Sequence, residues 1–146
     1  MPRYFQSSEL GARAVAAKAF RSLGLAAPIG LGIAAVLWLT APPVPRLAGS
    51  DFAAVPQVVR WLSLIPLLRG LHMISGGALT GLGKQPLRMA VQVMVALWNV
   101  SLNLWLIPRY GWMAACWTSL ASDSLLAVLN LGVLTWFGRV ASARPM

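Results

Sequence analysis

Four apolar runs, each long enough to cross a bilayer as a helix, constrain this chain more than any other feature. The first is SLGLAAPIGLGIAAVLWLTA, residues 22–41. The second runs from Val55 to Thr80, the third from Leu87 to Ile107 and the fourth from Trp112 to Phe137. A spanning helix needs about 20 predominantly apolar residues, and all four runs meet that length. The connectors APPVPRLAGSDF, GLGKQP and PRYG hold the turn-forming residues. Alternating ten-residue strands, the signature of a membrane barrel, are missing from the pattern. The expected fold class is all-α: a polytopic transmembrane helix bundle of about four spanning helices plus an N-terminal interfacial helix.

Composition agrees. Of the 146 residues 58% are hydrophobic and 10% charged, where a soluble domain carries about 25% charged residues. The formal charge of +9 is not gathered into a patch, and no nucleic-acid motif accompanies it, so nucleic acid is not an expected partner. Cys116 is the single cysteine. One cysteine excludes an intrachain disulfide and a multi-cysteine metal site, and neither a metal nor a cofactor is expected.

The segment MPRYFQSSELGARAVAAKAFR has no apolar core followed by a cleavage site, so it is not read as a signal peptide. It reads either as a short basic helix on the membrane surface, capped by Ser7 or Ser8 with Glu9 in its first turn, or as a solvated basic leader. The chain divides into a basic cytoplasmic or interfacial leader (1–21), a four-helix transmembrane domain (22–137) and a cytoplasmic tail (138–146). Lys and Arg set the orientation. Arg3, Arg13, Lys18, Arg21, Lys84, Arg88, Arg139 and Arg144 would share one side, against Arg46 and Arg109 on the other. Both termini are therefore expected in the cytoplasm of a multi-pass inner-membrane protein, with 42–56 and the Pro108–Gly111 turn periplasmic.

Polar residues inside the runs are the candidate functional groups. In the third run Arg88, Gln92, Asn99 and Asn103 fall within an arc of roughly 60° at 100° per residue. In lipid an amide must find a partner or water. These side chains are thus either helix–helix glue or the lining of a wet cavity. In the fourth run Ser119, Ser122, Asp123 and Asn130 share a face. In the second, Arg69, His72 and Ser75 lie along one side, with Arg60 opposite and free to snorkel. Arg69 and Asp123 sit at matching depths near the bilayer centre, where a charge costs about 2.5–3.5 kcal/mol even on lenient scales. Arg69 either pairs with Asp123 across the second and fourth spans or lines a hydrated cavity that attracts an anion, and the two roles are compatible. His72, one turn from Arg69, reads as an interhelical histidine or as a proton relay. Pro28, Gly30 and Gly32 are expected to interrupt the first span, and Pro66 with SGGALTGLG the second, allowing either bending or close packing.

No enzyme is expected. GLGKQP lacks the glycine spacing of a phosphate loop, and three acids in the chain leave little for acid–base chemistry.

The segment NVSLNLWLIPRYGWMAACWTSLASD resembles the N-x-x-x-N-x-x-L-I-P-x-x-G-x-x-x-A-A-x-A-T-type segment of bacterial oligosaccharide flippases. These belong to the multidrug/oligosaccharidyl-lipid/polysaccharide exporter superfamily. ALTGLGKQPLRMAVQ is similar to the cytoplasmic loop of that family, PVPRLAGSDF to a periplasmic segment, and MPRYF to the end of a preceding helix. Met113-Ala114 and the bulky Cys116-Trp117 depart from the family pattern. The resemblance reaches from Met1 to Phe137 but covers only the C-terminal third or so of a family of twelve to fourteen helices. It implies flipping of an undecaprenyl-diphosphate-linked oligosaccharide for polysaccharide, lipopolysaccharide or O-antigen biosynthesis, as a fragment of a longer flippase. Under that implication Arg69, His72, Gln92, Asn99 and Asn103 would line the substrate cavity. Arg69 with Asp123 would form an ion pair or coupling site, and Pro108, Arg109, Tyr110 and Gly111 the periplasmic turn. The implied partners are a lipid-linked oligosaccharide, membrane lipid, and either a missing N-terminal lobe or another copy of the chain. Two alternatives stay open: a multidrug or small-molecule antiporter fragment, and a non-transporting membrane subunit of a polysaccharide-synthesis complex.

Overall fold

The computed structural model describes residues 11–43 and 54–142, with the side chains of 12, 13 and 140–142 left out of the account. Five helices follow one another: α1 (Ala12–Thr40), α2 (Val55–Leu62), α3 (Ile65–Gly81), α4 (Gln85–Tyr110) and α5 (Trp112–Ser142). No strand occurs among the described residues. α2 and α3 together make one span, so the helices supply four candidate membrane crossings: Ala14–Thr40, Val55–Gly81, Gln85–Tyr110 and Trp112–Arg139. Mean hydropathy is lowest in the second, at 1.3, a span that carries Arg69 and His72. At 1.5 Å per residue each span is about 40 Å long, more than the ~30 Å hydrocarbon core. Each therefore reaches the headgroups or tilts. The protein is an all-α, multi-pass membrane helix bundle.

Local sequence explains the breaks. Pro66 has no N–H, and its ring would collide with the carbonyl of Leu62, four residues back. α2 ends at Leu62 and α3 restarts at Ile65, with the Ser63 hydroxyl donating to the Arg60 carbonyl at 2.7 Å. Pro28 behaves differently: α1 runs unbroken through it, so the expected interruption of the first span is not found. Pro108 likewise lies inside α4, and the turn is Gly111 alone, at φ +59° and ψ −143°. A proline late in a helix removes one hydrogen bond, whereas reversing the chain needs the positive φ that glycine tolerates. Of the expected turn residues Pro108, Arg109 and Tyr110 are therefore the last residues of α4.

The expected interfacial leader helix is also corrected where it is described. Residues 12–21 are the first turns of α1 itself, and Val15, Ala16 and Ala19 pack with Ala78, Leu79 and Leu134 in the main buried cluster. Basic residues suggested a surface helix, but Lys18 and Arg21 project outward. The face that packs repeats at i and i+4 and is built of small side chains, which need no long apolar run. The cap expected at Ser7 or Ser8 lies outside the described residues.

α5 is the hub. It packs along α3 on one side and α4 on the other, and it also touches α1 and α2. α1 runs antiparallel to α3, and the two approach so closely that a Cβ on Gly30 would stand 2.9 Å from Leu67 Cα. α4 is peripheral, with Val95 its one buried residue, and Leu97, Val100 and Leu104 expose apolar surface as a lipid-facing helix does. Rings gather at the Gly111 end: Trp61 and Tyr110 pack against Trp117 at centroid distances of 6.4 and 5.9 Å, and Arg60 and Arg109 lie over Trp38 and Trp105. Such a belt marks the depth of the headgroups.

Candidate functional site

α5 carries polar groups toward two neighbours because adjacent residues on a helix point about 100° apart. Ser122 serves α4, and Asp123 serves α3.

Toward α4 the groups close into a ladder. Asn99 donates to the Thr118 carbonyl at 3.2 Å and to the Ser122 hydroxyl at 2.7 Å. Its carbonyl oxygen accepts from the Asn103 amide at 2.9 Å, and the Asn103 oxygen accepts from the Thr118 hydroxyl at 2.6 Å. The Ser122 hydroxyl donates to the Thr118 carbonyl at 2.7 Å. The pairing follows from Gly111. In a helical hairpin, residues equally far from the turn lie side by side, which sets Asn103 against Thr118 and Asn99 against Ser122. Each pair is repeated one turn along its helix. Gln92, on the same face of α4, is half-buried and takes no part in the ladder.

Toward α3 the groups are charged and only partly closed. Arg69 Nε lies 3.5 Å from Asp123 Oδ2, and His72 Nε2 lies 3.9 Å from Asp123 Oδ1. Arg69 and His72 are three residues apart, so both side chains face the α5 groove. The Asp123 side chain is 12% exposed and that of His72 13%, but that of Arg69 is 65% exposed. A contact of 3.5 Å through Nε alone is longer than a charge-assisted hydrogen bond and is not the two-point fork that arginine makes with a carboxylate. Most of the arginine side chain is left exposed, at mid-span.

Arg88 shares the polar face of α4 and also reaches α3. Its guanidinium crosses from the start of α4 to α3, where Nη1 donates to the Thr80 hydroxyl at 2.9 Å. Nε lies 2.9 Å from where a Cβ on Gly76 would stand, so the glycine makes the bed for the side chain. The sequence signal was present in Gly76 and Thr80, one turn apart on the helix preceding the loop. Arg88 Nε and His72 Nδ1 are both buried and have no hydrogen-bond partner among the described residues.

Asn130, two turns beyond Asp123, is fully buried, and neither end of its amide has a partner among the described residues. Ser119 is half-buried, and the Ser75 hydroxyl is spent on the Leu71 carbonyl at 2.7 Å. The arrangement sets His72 beside Asp123, at 3.9 Å. It can attract an anion at Arg69, and it can hold helices together at Asn99 and Asn103. No family model, curated protein or solved structure matches the chain.

Proposed function

We propose that this chain is part of a membrane transporter that moves an undecaprenyl-diphosphate-linked oligosaccharide from the cytoplasmic to the periplasmic leaflet of the bacterial inner membrane, with both termini cytoplasmic. One observation carries the reading: Arg69 is 65% exposed on its side chain in the middle of an apolar span. A guanidinium there is too costly to leave against lipid. It faces water, an anion or another protein segment. A guanidinium suits the paired oxygens of a diphosphate, and the contact with Asp123 leaves most of the Arg69 side chain exposed. Four spans do not enclose a cavity for a lipid-linked sugar. The reading therefore needs further helices, from a longer chain or another copy, with alternating access between the two halves.

The resemblance of residues 99–122 to flippases supports the same reading. A cationic-drug antiporter fits less well, because a net acidic cavity would suit its cargo and Arg69 offsets Asp123. A non-transporting subunit of a synthesis complex has one observation in its favour, since Asn99 and Asn103 spend their hydrogen bonds on Thr118 and Ser122. The test is surface polysaccharide in the host strain with Arg69→Ala at the native locus. Transport predicts that export fails while the protein stays at its normal level in the membrane. Normal export sinks the transport role of Arg69. Loss of the protein itself, restored by adding Asp123→Ala, makes the pair structural.

A further inference from the structure

Two grooves lie side by side on the outer face of α5 near the Lys84 end, with volumes of about 260 and 340 Å³. They share Gly132 and Trp136. The first is walled by Leu87 and Phe137 and is almost wholly apolar; the second runs to Thr135 and Arg139. Gly132, Trp136 and Arg139 follow at i, i+4 and i+7, one stripe of the helix. Gly132 opens the floor, since a Cβ there would meet nothing within 4 Å. Trp136, 68% exposed, stands between the grooves as a partition.

We infer that this stripe binds one anionic glycerophospholipid, its two acyl chains straddling Trp136 and its phosphate at Arg139. Three observations select this occupant. Both grooves open outward from a span, where acyl chains are the surrounding material. Arg139 sits at the mouth of the second groove at headgroup depth, and the Lys84 ammonium lies 4.9 Å from the centroid of the Phe137 ring that walls the first. This end of the bundle also carries Arg21 and Arg88, while Asp123 is the one acid among the described residues and sits at mid-span. The cations here find their counter-charge in headgroups, and a basic residue near an anionic membrane surface gains about fivefold in binding.

Native mass spectrometry of the full chain in detergent, titrated with phosphatidylglycerol and with phosphatidylcholine of the same acyl chains, tests the inference. One phosphatidylglycerol should be retained in preference to phosphatidylcholine. Arg139→Gln should cut that preference about fivefold and leave phosphatidylcholine retention unchanged. Gly132→Leu, which fills the floor, should lower retention of both lipids. Gly24→Leu should leave it unchanged, because a Cβ on this exposed glycine of α1 also meets nothing within 4 Å. Equal effects of Gly132→Leu and Gly24→Leu would mean general coating of the bundle by lipid and would overturn the site. Displacement of the lipid by glycerol phosphate alone would also overturn it, since the grooves would then contribute nothing.

Discussion

The two sides of α5 both meet polar side chains spaced about one helical turn apart on the facing helix, yet they reach opposite solutions. Toward α4, the Asn99–Asn103–Thr118–Ser122 ladder uses its donors and acceptors internally, over distances of 2.6–3.2 Å. Toward α3, Arg69, His72 and Asp123 approach at 3.5 and 3.9 Å, with the arginine exposed and His72 Nδ1 without a partner among the described residues. A closed ladder in an apolar medium fixes the distance between two helices. An open charged group leaves attraction available for something outside the bundle. One seam is closed and the other open, and under the proposed function the open seam is the one where recognition would act.

The strongest challenge to that division is Asp123→Ala. It leaves Arg69 and His72 facing each other without a counter-charge. Breaking a buried pair this way costs about 3 kcal/mol, the low end of the range, because Arg69 reaches the surface. The drop should appear as a lower midpoint in thermal or denaturant unfolding of the detergent-solubilised chain. The double variant Arg69→Met with Asp123→Leu should recover most of it. If Asp123→Ala alone leaves the midpoint unmoved, the α3 seam contributes nothing to stability.

Asn99→Ala probes the other seam. It removes donors to Thr118 and Ser122 and the acceptor for Asn103, which together amount to about 1–2 kcal/mol in a membrane bundle. The signature of a scaffold is a lower midpoint with export per folded molecule unchanged. Export lost at full stability would move the ladder to the recognition side and erase the contrast with Arg69.

A subtler change is Gly76→Ala. The new methyl would stand 2.9 Å from Arg88 Nε, but the arginine is long and lies near a helix start, so it can withdraw toward the headgroups. The expected loss is about 1 kcal/mol. Combining it with Arg88→Gln should show strong non-additivity in the unfolding midpoint, because both changes act on one contact. Additive effects would mean that the glycine serves backbone packing rather than the guanidinium.

How much of this was legible in the sequence follows from the range of each interaction. The spans were legible because bilayer thickness acts on every residue of a run at once. Pairing of Arg69 with Asp123 was open to view because matched depth is a one-dimensional property. The asparagine ladder was only half legible: the stripe on α4 showed, but choosing glue over cavity depends on Thr118 and Ser122, whose positions follow from a turn reduced to Gly111. A turn spread over Pro108–Gly111 leaves the register of the two helices open by several residues. The packed start of α1 was hidden for a different reason. Val15, Ala16 and Ala19 are too small to raise hydropathy among Arg13, Lys18 and Arg21, yet small side chains are what let helices approach.

Asn130 belongs to neither seam and tests the comparison from a third direction. It lies fully inside α5's packed face with neither amide atom bonded among the described residues. A buried amide that has given up water or its other partners without replacing them is a net cost, and replacing it by an apolar side chain of similar volume removes that cost. Asn130→Leu is therefore expected to raise the unfolding midpoint, by under about 1 kcal/mol, the opposite sign from every other change named above. A lowered midpoint would show that the amide has a partner supplied from outside the described residues. Asn130 would then join Arg69 as a polar group waiting for something the four spans do not contain, and the recognition side of α5 would extend two turns beyond Asp123.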